Sequence, residues 1–203
     1  MTSTFEGEET ITIDGMELVR RMVNNCRSGC GDLDAQLATL DQVQALAHER
    51  GTFFLDVPRS WCDSLEEDER VRCLYPPAET DASRGPHSPL RWTYFPVISA
   101  GIRELRRLWS AGDQPAFFSL AYALHLLPDL ACQGRPLNAE LYQFELRIAA
   151  FRWHALAPEI RSMLCDLAEV DIEQVEALLD HPEFVIDMFG FANGEAAEGA
   201  DET

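Results

Sequence analysis

The chain has 203 residues, 46% of them apolar and 9% aromatic, which is ordinary usage for a folded protein and long enough to bury a substantial core. Its charge is not ordinary: 16 basic against 35 acidic side chains leave a formal −19, a surface that repels nucleic acid and anionic membranes and attracts basic proteins. All 16 basic residues are Arg, and without a single Lys a Walker phosphate loop, a protein-kinase nucleotide site, a pyridoxal Schiff base and a lysine aldolase are excluded.

The predicted elements begin with a short alternating strand over residues 9–13, after which Asp14 and Gly15 turn the chain. Asp14 is placed to cap a helix whose apolar face is Leu18, Val19, Met22, Val23 and Cys26, with Gly29 and Gly31 as its stop. Asp32 or Asp34 restarts a helix carrying Leu33, Leu37, Leu40, Val43 and Leu46 at helical spacing, ended by Gly51. Residues 52–57 form a second strand candidate, stopped by Pro58. Ser64 and Glu67 have the spacing of a capping box, opening a short acid-faced helix that ends before Pro76 and Pro77. Residues 78–90 are turn formers with little apolar content and read as an exposed loop or linker.

Beyond that loop the pattern is helical. Ile98, Ile102, Leu105 and Trp109 share one face, with Arg103, Arg106 and Arg107 on the other. After Gly112 and Asp113 comes a helix holding Phe117, Leu120, Ala121 and Leu124, bent or ended by Pro128 and followed by a stop at Gly134. Asn138 caps a long helix with Leu141, Phe144, Ile148 and Phe151, and Pro158 starts another with Ile160, Leu164 and Leu167. Asp171 through Gln174 repeats the capping-box pattern before Ile172, Val175 and Leu178 or Leu179. The expected fold is mostly α: a helical bundle over 91–190, a smaller α+β part over 1–77 with two short strands, the linker 78–90, and a disordered acidic tail over 191–203.

No catalytic signature stands out. Cys26 and Cys30 are the nearest thing to half a zinc site, but Cys62 and Cys73 are ten residues apart, and buried or incidental thiols are the simpler reading. None of His48, His87, His125, His154 and His181 forms a metal-binding pair. His48 suits a helix C-terminus, and His125, inside an apolar helix, suits a histidine satisfied by a carbonyl. No metal, cofactor or catalytic residue is therefore assigned. An enzyme built around His125 and His154 is kept as an alternative.

Charge is distributed unevenly along the chain. Residues 1–83 carry a net −10, residues 84–161 a net +3, and residues 162–203 carry 12 acids and no Arg. Two acidic clusters follow, Asp63, Glu66, Glu67, Asp68 and Glu69, and Asp166, Glu169, Asp171, Glu173, Glu176 and Asp180. Solvated helix faces explain such clusters in the ordinary case, and a docking surface for a basic partner is the functional alternative. Arg91, Trp92 and Tyr94 are the candidate aromatic patch, since Trp, Tyr and Arg anchor many interfaces. The first fourteen residues lack the basic start and apolar run of an export signal, and the apolar stretch from Ala116 to Leu127 is too short for a bilayer. The expectation is a cytoplasmic protein with reduced cysteines. Its expected role is to bind a basic protein and inhibit it, as an immunity protein does a bacterial toxin or enzyme with a basic active site. A DNA-mimic or anti-defence protein is the other alternative, though the positive middle segment breaks the run of carboxylates a mimic needs.

Overall fold

A computed structural model describes residues 9–60 and 89–179, with the side chains of residues 144, 147–151, 178 and 179 outside that description. The elements in chain order are β1 (Thr10–Asp14), α1 (Gly15–Ser28), α2 (Leu33–Arg50), β2 (Phe54–Pro58), α3 (Pro89–Ser110), α4 (Gln114–Leu124), α5 (Leu126–Gln133), α6 (Ala139–Ala149), a 3-10 turn (Ala150–Ala155), α7 (Pro158–Leu167) and α8 (Ile172–Leu179). The fold is mostly α with a small two-stranded sheet near the N-terminus, as the periodicity indicated.

β1 and β2 pair antiparallel with Ile13 opposite Leu55 and Thr12 opposite Asp56. Both strands end one residue later than their alternation suggested, and they begin one and two residues later. Pro58 ends β2 without cost, because at this register its missing N–H points away from β1. Asp14 then caps α1, accepting from the Met16 amide at 3.0 Å, and Gly29 closes the helix at φ 65°. Gly15 is needed where α1 leaves the sheet, since a Cβ there would lie 2.8 Å from Leu55 Cδ1 and 3.1 Å from the Phe53 carbonyl. Asp32 caps α2 through the Ala35 amide, and Gly51 ends it at φ 66°.

α3 starts at Pro89, inside the stretch whose composition read as linker, because Pro89 and Leu90 supply a compatible first turn. It is the central helix, lying against α2, α4, α5 and α7, while α1 packs on α4 and α5. The expected apolar faces are buried: Leu18, Val19, Met22, Val23 and Cys26 on α1, Ile98, Ile102 and Leu105 on α3, Phe117, Leu120, Ala121 and Leu124 on α4. Together with Ile13, Phe53, Leu55 and Val57 from the sheet they form one continuous apolar core. Elements from both sides of residues 61–88 therefore share a single interior.

Gln114–Gln133 has the length and apolar character to cross a membrane, longer than the run from Ala116 to Leu127 on its own, and 56% of it is buried here among other helices. It is broken at His125. The ring of Pro128 lacks an N–H and crowds the carbonyl four residues earlier, that of Leu124, where α4 stops. α6 contains one reversal of expectation: Leu141 is 58% exposed, whereas Tyr142 and Leu146 are buried. Tyr142 wins the inward position because its hydroxyl donates to the Ala123 carbonyl of α4 at 2.7 Å while its ring fills the core.

Candidate functional site

Two kinds of carboxylate are present, and their surroundings separate them. The first kind is interior. Asp14 and Arg91 are fully buried and bonded in a bidentate fork, Nη1 to Oδ1 at 2.6 Å and Nη2 to Oδ2 at 2.7 Å. One carboxylate thus caps α1 and tethers the start of α3. Glu104, 6% exposed, accepts from Arg107 Nε and Nη2 at 2.8 and 2.7 Å and from the Ala157 amide at 2.8 Å. Burial pushes its pKa up, but the Arg107 and Ala157 donors outweigh that and hold it below the usual carboxylate value. Ala157 occupies the N-cap position of α7 with no side-chain acceptor of its own, and the Glu104 carboxylate of α3 anchors that position by accepting from the Ala157 amide.

The patch expected at Arg91, Trp92 and Tyr94 is not a surface. Arg91 is spent on Asp14, and Tyr94 is 2% exposed with its hydroxyl donating to the Arg135 carbonyl at 3.1 Å. Trp92 is half-buried, packed against Phe53 and Phe95 at centroid distances of 4.7 and 5.8 Å. The residue types were those of an interface anchor, but helix entry into the core places them inside.

The histidines and thiols are equally explained by packing. His125 Nδ1 lies 2.5 Å from the Tyr122 carbonyl, at the break between α4 and α5. His154 is exposed on the 3-10 turn, and His48 sits in the last turn of α2 with its ring 4.8 Å from Phe95. Cys26 faces the core and Cys30 faces solvent beyond the cap, so the pair does not converge on one point. Burial pushes the Cys26 thiol up to about 12 and Cys165 up to about 11, and raises Cys132 well above its ordinary value, so these thiols stay protonated near neutral pH. Among the described residues no three of His, Cys, Asp and Glu gather as a metal site. Cys62, Cys73, His87 and His181 lie outside them.

The second kind of carboxylate is at the corner where α7 turns into α8. Asp166, Glu169, Asp171 and Glu173 are all exposed within eight residues of chain. Asp171 caps α8 by accepting from the Glu173 amide at 3.0 Å. Glu176 is different: it accepts from Arg161 at 2.5 Å and pins α8 to α7, assisted by buried Val175, Ile160 and Leu164. Gln143 of α6 donates to the Ala168 carbonyl at 2.8 Å and holds the corner from below. Glu169 adopts φ 52°, the left-handed cap position that favours Gly, with the Val170 amide closing onto the Cys165 carbonyl at 3.1 Å. The other acidic candidates, Asp63, Glu66, Glu67, Asp68, Glu69 and Asp180, lie outside the described residues.

Sequence reasoning missed the interior joints. For the Asp14–Arg91 joint the only signal is an Asp at a strand end and an Arg opening a helix 77 residues later, a separation no local pattern connects. Comparison with protein-family models, with curated proteins and with solved structures found no match.

Proposed function

We propose that this chain is a protein-binding inhibitor, of the immunity type, that acts in the cytoplasm by laying the acidic α7–α8 corner over a basic surface on a toxin or enzyme. The observation that supports this is a local conflict. Asp166 places a negative charge in the last turn of α7, against the helix dipole, and Glu169 occupies a backbone conformation in which a side chain is strained. Gly and a basic residue at these two positions would make a more stable corner. Instead four exposed carboxylates stand there, with no Arg or Lys after Arg161 in the sequence. Stability is given up where a directed negative field results, and such a field speeds association with a basic surface and selects it. The joints at Glu104 and Glu176 keep that corner fixed, which limits the ordering cost of binding.

The test is affinity capture from the source cell at low salt, followed by assay of any stoichiometric basic protein for inhibition by the purified chain. The reading expects inhibition, an association rate that falls steeply with salt, and loss of both on D166N/E169Q/E173Q. Capture of no basic protein, or inhibition untouched by the triple change, would sink it.

A further inference from the structure

A second surface, remote in chemistry from the acidic corner, reads backbone and not charge. The bonds from the Gly15 amide to the Phe53 carbonyl (2.7 Å) and from the Arg59 amide to the Glu9 carbonyl (3.0 Å) fix the phase of the β1–β2 ladder. Leu55 and Val57 therefore bond inward to β1, and the main-chain groups of Phe54, Asp56 and Pro58 point to the outer edge. The Phe54 amide is taken by Thr52 Oγ1 at 3.2 Å. That leaves the Phe54 carbonyl and both the amide and carbonyl of Asp56 with no hydrogen bond among the described residues. Beside this edge is an open cleft of about 220 Å³, lined by Leu46 and Arg50 of α2 and by Thr52, Phe54, Leu55 and Asp56. No residue of β1 lines it, which puts it on the outer side of β2.

We propose that the β2 edge is a strand-addition site for an extended segment of another protein in which basic and apolar residues alternate. Unpaired strand groups beside an open cleft of mixed polar and apolar lining are what an added strand requires. A residue bonded opposite Asp56 lies on the same exposed face as its carboxylate, so a basic side chain is favoured there. Its neighbours face the other way, toward Leu55 and Leu46, where apolar side chains fit. A second copy of the chain is a poor occupant. Pairing β2 with itself about Asp56 sets two carboxylates face to face, offers Pro58 where the Phe54 carbonyl needs a donor, and brings together two chains each of −19. The inference goes beyond the inhibitor reading and stands without it.

The experiment uses the whole chain, nitrogen-15 labelled, titrated with a heptapeptide of alternating valine and arginine and with the same peptide N-methylated at alternate backbone nitrogens. Binding of the plain peptide should shift the amides of Phe54 to Val57 and slow exchange of the Asp56 amide, with affinity about tenfold weaker for the methylated peptide, which has lost its strand donors. D56P removes the outward N–H together with the carboxylate that Thr12 Oγ1 donates to and should abolish the effect, and if that variant unfolds the methylated peptide decides. Equal binding of both peptides, or shifts confined to Asp166–Glu173, shows charge capture alone and overturns the proposal. So does an Asp56 amide already protected without peptide, whether with concentration (a second copy) or without (another part of the same chain).

Discussion

The joint at Asp14 and Arg91 and the corner at Asp166–Glu173 are built from the same functional group with opposite consequences. At the joint, a carboxylate is removed from water, bound by a guanidinium fork and given a helix cap to satisfy, so its negative charge is invisible outside. At the corner, carboxylates of the same kind are exposed to water, Asp166, Glu169, Asp171 and Glu173 have no ion-pair partner among the described residues, and Glu169 sits at a strained φ of 52°. Net charge alone does not distinguish the two. What separates them is whether tertiary packing brings a donor to the acid, and only unpartnered acids project a field to a partner.

That contrast is breakable by substitution. The largest effect is expected for Arg91→Met, which strands a buried carboxylate and should cost about 3–5 kcal/mol in urea unfolding. The double variant D14N/R91M should recover part of the loss, because Asn keeps the cap on α1 without the charge. If R91M costs nothing, the joint is not what holds α1 and β1 to α3. Gly101→Ala forces a methyl against the Leu124 side chain across the α3–α4 contact and should cost about 1–3 kcal/mol by the same measurement.

Glu104→Gln should cost about 1–2 kcal/mol near neutral pH, because its oxygen can still accept from Ala157 but its NH2 would face the Arg107 Nε donor, a loss softened by solvent since Arg107 is 53% exposed. Glu104 is held below its ordinary pKa, so its contribution is complete above the usual carboxylate range and is lost as pH falls through the lowered folded value. Stability of the wild type should therefore converge on that of E104Q in acid. Parallel curves over the whole pH range would remove Glu104 from the account.

Smaller effects are expected at the corner. Glu169→Gly relieves the φ 52° strain and should raise stability by about 1 kcal/mol, while slowing association with the basic partner. A gain in stability with association unchanged would reduce Glu169 to a strained turn. D166N/E173Q should leave stability within about 0.5 kcal/mol, because neither side chain has a partner among the described residues, and weaken the salt dependence of association.

The local features legible in the sequence were those set by nearest neighbours. Asp14 and Asp32 as caps, Gly29 and Gly51 as stops, and the buried stripes of α1, α3 and α4 all depend on residues within a turn or two, where spacing and backbone preference decide. The exposed acids Asp166, Glu169, Asp171 and Glu173 were legible as a cluster for the same reason. Leu141 was misjudged because a helical period gives an apolar side two possible phases, and a hydroxyl reaching Ala123 on another helix chose between them.

Composition and order along the chain determined by themselves a mostly helical protein with a strongly negative end and no lysine chemistry. Only the tertiary structure decided which charges are structural. Arg91 looks like an interface anchor until Asp14, 77 residues away, is found in its fork, and Glu176 looks like part of the acidic face until Arg161 is found beside it. The physical reason is that the free energy of a charge depends on what replaces its water, and that replacement is supplied by residues distant in sequence and adjacent only after folding.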